Sequence, residues 1–158
     1  SIDHMDFAVL DECLRINLSS LAYSMEATLP FLREAGRGAA IAAALSTSAL
    51  RAAPITTQYT ASKHGALGLI RASARGLGPE GIRVNAVCPG AMDTPMMDQA
   101  LQDAGSARDE VEAAMRASIP LGYIADPFEV ARVMLFMLSP ASSYITGADI
   151  PVDGGMVA

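Results

Sequence analysis

The chain has 158 residues, 51% of them hydrophobic, and a mean hydropathy of +0.31, enough apolar side chain to close a core as one domain. A formal charge of -6 and a pI near 4.7 repel a phosphate backbone, which excludes nucleic acid as an expected partner. No run reaches the roughly 18 uninterrupted apolar residues of a membrane helix, because Arg, Ser, Pro or Gly breaks each candidate, so no membrane partner is expected and the apolar excess is assigned to core or interface.

The first residues are polar and mixed, and Asp6 is placed to cap a helix running to about Thr28, with Pro30 beyond. Leu10, Leu14, Leu18, Leu21 and Met25 form one apolar stripe at helical spacing. Cys13 falls within this helix; it and Cys88 are far apart and lack metal-type spacing, so no metal site is expected. They read as reduced thiols of a cytoplasmic protein, with a disulfide as the alternative, and no basic region followed by an apolar stretch marks a secretory signal. Asn17 lies one turn from Leu14 and Leu21, near the buried side, where its amide needs partners; taken alone it points to a structural hydrogen bond to backbone. After a loop at Glu34–Gly38 comes Ala39–Leu45. Its alanine content favours helix, whereas its short length, the glycines before it and the serines after it suit a strand buried on both faces.

A helix containing Tyr59 and Lys63 continues to about Leu77, where Gly78-Pro79-Glu80-Gly81 ends it. Ala61, Gly65, Gly68, Ala72 and Gly76 line it at spacings of three and four, a stripe that lets another backbone approach closely. Ile82–Cys88 reads as a strand and stops at the Pro89-Gly90 turn. From Pro95 to Pro120 the chain reads as irregular and then helical, with a helix start near Ser106–Asp109. Met92, Met96 and Met97 crowd together before it, suiting either an adaptable cover over a substrate or core filling. Asp126-Pro127-Phe128-Glu129 is a stronger helix start, with an end near Leu138 before Pro140. A short strand over Ala148–Val152 contains Pro151, which cannot donate to a ladder and implies a sheet edge or strand end.

The chemistry-bearing stretch is Ser46 to Lys63. Tyr59 and Lys63 are just over one helical turn apart and project from one face. An ammonium beside a phenol favours the phenolate and pulls the tyrosine pKa down from about 10, which makes a general acid and base. Ser46 precedes the tyrosine by thirteen residues and is the hydroxyl that would hydrogen-bond a carbonyl or alcohol oxygen in the same place. By itself such a Tyr and Lys pair is a common accident of helices. The residues Tyr59-Thr60-Ala61-Ser62-Lys63, however, resemble the YxASK segment of the short-chain dehydrogenase/reductase family, with that family's Ser-to-Tyr spacing. Pro89-Gly90-Ala91-Met92-Asp93-Thr94 is similar to its PGxxxT segment, and Ile145–Gly155 to its ITGxxxxVDGG ending.

The resemblance covers nearly the entire chain and implies an α/β fold, a Rossmann-like parallel sheet with flanking helices. It settles Ala39–Leu45 as a strand, which puts Ser46 and Pro89-Gly90 at the carboxyl ends of neighbouring strands, where open parallel sheets bind ligands. The implied activity is NAD(P)-dependent interconversion of a secondary alcohol and a ketone. In it Ser46 binds the substrate oxygen, Tyr59 exchanges its proton, and Lys63 tunes the tyrosine and holds the nicotinamide ribose. Asn17, in a pattern like the family's Ile16-Asn17-Leu18, helps hold a water that passes protons to the lysine. Cofactor contacts are implied for Tyr59, Lys63, Pro89, Gly90, Met92 and Thr94; by its residue type alone Thr94 is a polar turn residue before Pro95. Family helices at positions 8–28 and 58–77 pair with symmetry mates, so a homodimer or homotetramer is expected. Where relatives carry an asparagine two residues before the serine, this chain has Ala44.

No glycine-rich TGxxxGxG turn appears, nor the NNAG segment, so the expectation is a single partial domain over residues 1–158 that lacks the first strands of the doubly wound fold. The missing glycine turn is what would hold a cofactor's pyrophosphate at a helix N-terminus. Three accounts follow: a truncated enzyme, an enzyme completed by another chain, or a cofactor-free relative serving as a structural or binding subunit. NAD and NADP are both open, and the substrate is not specified beyond a small alcohol or ketone.

Overall fold

The structure, a computed structural model, describes residues 2–52 and 56–158. Asp6 caps the first helix, its carboxylate accepting from the backbone N–H of Ala8 at 2.9 Å and of Val9 at 3.3 Å. Helix α1 (Phe7–Leu14) widens into a five-residue π turn over Arg15–Ser19, and α2 (Ser20–Ala35) continues from it. The expected end near Thr28 is corrected: α2 runs through Pro30. A proline there removes one N–H and orphans the carbonyl of Glu26 one turn back, but both residues are exposed and water can reach that carbonyl.

Three parallel strands follow in the order β1-β2-β3: β1 (Ala40–Ala44), β2 (Arg83–Pro89) and β3 (Asp149–Val152). Ala40 stands opposite Arg83, and Ala86 opposite Asp149. The alanine run is a strand, but the expected burial on both faces is corrected: Ala43 is buried, residues 40–42 are half-buried and Ala44 is exposed, because β1 is an edge strand of the described sheet. Ile41 and Ala43 pack into the layer formed by α2 and α3 (Thr57–Leu77), while Ala42 packs into the layer of α6 (Pro127–Leu138). Pro151 lies in the edge strand β3, opposite Cys88, as a residue without an N–H must.

The principal core lies between α3 and the sheet, where Ala66, Leu67, Ile70 and Ala74 meet Val84, Ala86 and Cys88, with Met25 of α2 closing one side. On the opposite face Val130 and Met137 of α6 pack with Val87 and Met92. The segment after β2 is helical sooner than its composition suggests: α4 (Pro95–Asp103) starts at once, capped by Thr94, and α5 (Arg108–Ala117) follows. Asp126 caps α6 by accepting from the Phe128 N–H at 2.8 Å. The stripe of small residues on α3 is divided. A Cβ at Gly65 would lie 3.1 Å from Leu18 Cδ2, so this glycine serves packing within the chain, whereas Gly68 and Gly76 face open space.

Arg83 ties the second layer to the sheet. Its buried guanidinium donates to the carbonyls of Met137 (2.8 Å) and Ser139 (3.1 Å) and to Ser142 Oγ (2.9 Å), which satisfies the orphan carbonyls at the end of α6. Arg83→Met keeps the apolar stem and removes the charged donor, leaving the Met137 and Ser139 carbonyls to share the Ser142 hydroxyl. We expect a loss of roughly 1.5–3 kcal/mol in chemical denaturation, with the urea slope unchanged.

Candidate functional site

The carboxyl end of β1 delivers Ser46. Pairing with β2 continues through Leu45, whose N–H bonds Val87 O at 2.8 Å, and the chain then turns away through a short 3-10 turn at Thr47–Ala49. Ser46 Oγ accepts from the Ser48 N–H at 3.1 Å, which leaves its own O–H free to donate. One strand over, β2 ends at Pro89. Gly90 is held against β3 by its N–H to Val152 O at 3.0 Å, and a Cβ there would lie 2.8 Å from the Cβ of Asp153. The glycine is therefore required by the protein's own backbone.

Helix α3 enters this edge with its first turns. Tyr59 is half-buried, and the Lys63 amine sits 5.4 Å from the centre of its ring. Lys63 is the only lysine of the chain and is 9% exposed. Burial pushes its amine below the usual lysine range, against the upward pull of the neighbouring Cys88 sulfur. Burial likewise pushes the Cys88 thiol up to about 11, although the backbone N–H of Ser46 hydrogen-bonds to it. That cysteine is a fully buried, neutral thiol, and neither it nor Cys13 is in a disulfide.

Ser46, Tyr59, Lys63, Pro89, Gly90, Met92 and Thr94 all line one cleft of about 440 Å³, together with Leu45, Pro95, Met96 and Met97. The neighbouring hydroxyls of Thr47 and Ser48 do not line it. Thr94 is both a wall and a helix cap, its Oγ1 accepting from the Met97 N–H at 3.4 Å. Other concavities are larger, but they lie at the opposite sheet end or beside β3 and gather none of these side chains.

Asn17 is the predicted site residue that does not line the cleft. It lies in the π turn and donates from Nδ2 to Ser62 Oγ at 3.1 Å, and Ser62 donates to the Tyr59 carbonyl at 2.7 Å. The two bonds join the turn before α2 to the turn of α3 that carries Tyr59 and Lys63. Ser62 was not legible as part of the site, although its place between Tyr59 and Lys63 on a buried face is a usable signal. Removing either member should loosen the same turn, so in an active preparation Asn17→Ala, Ser62→Ala and the double variant are expected to lower kcat to a similar extent. Independent, multiplying losses in the three variants would contradict that coupling.

A partial Rossmann-like sheet whose carboxyl edge gathers a serine, a tyrosine and a lysine is the class that fold and site define together. A family model described as Enoyl-(Acyl carrier protein) reductase matches residues 1–157. The chain is 44% identical over 131 residues to the short-chain dehydrogenase RED2 of Pyricularia oryzae, covering 80% of this chain and 46% of RED2. It is 38% identical over 140 residues to an L-rhamnose 1-dehydrogenase (NAD(P)(+)) of Azotobacter vinelandii, covering 89% and 53% of the two. Among solved structures, levodione reductase superposes with a TM-score of 0.91 at 31% identity, over 98% of this chain and 60% of that one. The chain belongs to the short-chain dehydrogenase/reductase family. It spans about half the length of the curated relatives it matches.

Proposed function

We propose that this chain carries the proton-transfer side of an NAD(P)-dependent interconversion of a secondary alcohol and a ketone. The observation that carries the reading is the convergence of Ser46, Tyr59 and Lys63 on one cleft at the carboxyl ends of β1 and β2. The free Ser46 O–H donates to the substrate oxygen and fixes its position. Tyr59 gives its phenolic proton to that oxygen in the reducing direction and takes it back in the oxidising one. Lys63 supplies the positive charge beside the phenol, and Asn17 supports the same turn and the proton relay to the lysine.

The groups around the cleft suit the nicotinamide end of the cofactor: Lys63, Tyr59 and Thr94 offer donors to a ribose and an amide, and Pro89, Gly90 and Met92 form the adjoining wall. NAD or NADP, when bound there, supplies or accepts the hydride. No glycine-rich turn for a pyrophosphate occurs in these residues, so the fit extends to that end alone. NAD(P)H titration followed by a panel of ketones, read as loss of reduced-nicotinamide absorbance, tests the proposal. Turnover abolished by Ser46→Ala is the expected result; absence of any NAD(P)H binding would favour a cofactor-free binding or structural subunit.

We also place the protein in the cytoplasm as a homodimer or homotetramer. Among the described residues no helix is long and apolar enough to cross a membrane. Phe7, Tyr23 and Phe31 leave the α1–α2 surface apolar and exposed, and Gly68, Ala72 and Gly76 leave α3 bare beside it. Gly68→Arg meets open space within the chain, so it should shift sedimentation towards monomer.

A further inference from the structure

The cleft's chemistry goes beyond the acid-base residues, because its remaining walls are almost without polar reach. Met92, Met96, Met97, Leu45 and Pro95 supply the side chains around Ser46 and Tyr59. Met92 is 9% exposed and fixed from behind, since Asp93 N–H bonds Ala125 O at 2.9 Å and Ala125 N–H bonds Ala91 O at 3.2 Å. Met96 stands 78% exposed on the first turn of α4, an unbranched thioether that adapts to an irregular apolar shape.

Four backbone donors at or beside the cleft are already taken. The N–H groups of Leu45 and Gly90 bond Val87 O and Val152 O, and those of Ser48 and Met97 bond Ser46 Oγ and Thr94 Oγ1. Among the described residues the cleft lining carries no charged group apart from the buried Lys63. Asp93, Asp98 and Arg108 line a separate cavity on the other side of Met97. A sugar or a carboxylate entering this wall would lose hydration without replacement, whereas a hydrocarbon body would lose none that matters.

We propose that the substrate of this cleft is an uncharged, largely hydrocarbon ketone or secondary alcohol whose reacting oxygen is its single polar anchor, with Met96 and Met97 as the residues that select it. The inference rests on the reading of Ser46 and Tyr59 as the groups that hold that oxygen. It separates this chain from its sugar-oxidising relative despite 38% identity.

The test is binding to the 158-residue chain carrying 13C-methyl methionine, with the Met96 and Met97 signals assigned through Met96→Leu and Met97→Leu. A trimethylcyclohexanone, L-rhamnose and acetoacetate are titrated in turn. The ketone is expected to shift both methyl signals saturably, at least about tenfold more tightly than either polar ligand. Met96→Lys should weaken the ketone by a similar factor without changing the melting temperature. Rhamnose or acetoacetate binding as tightly as the ketone, or a ketone that produces no saturable shift, would overturn the proposal. Ser46→Ala separates the two readings. Ketone binding undiminished by it keeps the apolar preference but removes Ser46 as the anchor of the oxygen; rhamnose that binds as tightly as the ketone and is weakened by it keeps that anchor and removes the apolar preference.

Discussion

Replacing Tyr59 with phenylalanine is expected to lower turnover by about 10²–10⁴-fold in any preparation that reduces a ketone, the range that a positioned general acid contributes. The ring stays, and with it the packing and the neighbouring amine at 5.4 Å; only the proton is removed. Tyr59 is half-buried and lines the cleft, so the melting temperature should hold, in line with a stability change within about 0.5 kcal/mol. Steady-state kinetics and thermal unfolding on one sample measure both halves. Full activity in Tyr59→Phe would remove the phenol from the chemistry.

Lys63→Met is expected to abolish turnover and raise stability together. Lysine is seldom 9% exposed without a carboxylate to meet it, and none of the chain's salt bridges among the described residues involves Lys63. Its amine is pushed down by burial, so the folded state disfavours the charged form that the unfolded chain accepts freely. The unfolded state then binds more protons between the folded value and the ordinary lysine value of about 10.4, and stability rises with pH across that window. The penalty is complete at neutral pH and relieved as the amine deprotonates. Methionine has no charge to bury, so the gain from Lys63→Met should be largest near neutrality and shrink as pH climbs towards 10.4. Because Lys63 is the only lysine, 13Cε-lysine labelling gives one signal whose titration midpoint should fall below the ordinary range. A midpoint at or above that range, or a destabilised Lys63→Met, would contradict the cost assigned to the buried charge.

Local chemistry made much of the molecule legible. Asp6 and Asp126 announce their helices because a capping carboxylate acts within three residues of itself. The Tyr59–Lys63 face follows from helical periodicity, and the strand edges from the short apolar runs that end at Ser46 and Pro89. The alanine run Ala40–Ala44 was ambiguous because its strand state comes from packing by α2, α3 and α6, not from propensity.

The π turn at Arg15–Ser19 and the passage of α2 through Pro30 were invisible for a related reason. A local breaker is tolerated where solvent can satisfy the orphaned carbonyl, and exposure is a property of the fold. The same holds for Arg83 and Asn17. Their partners lie 54 to 59 and 45 residues away, at the end of α6 and in the middle of the site, and no spacing rule reaches so far. Asn17 is half-buried, as its spacing implies, but its partner is the Ser62 side chain and not the backbone.

The central claim is that Ser46, Tyr59 and Lys63 act as one unit on one oxygen, and the most direct test is a kinetic double-mutant cycle on Ser46→Ala and Tyr59→Phe. If both groups serve the same proton transfer, the double variant should be no slower than the slower single variant within about threefold. Losses in kcat that simply multiply would mean that the two hydroxyls work at separate places, and the cleft at the carboxyl edge of β1 and β2 would not be a catalytic site.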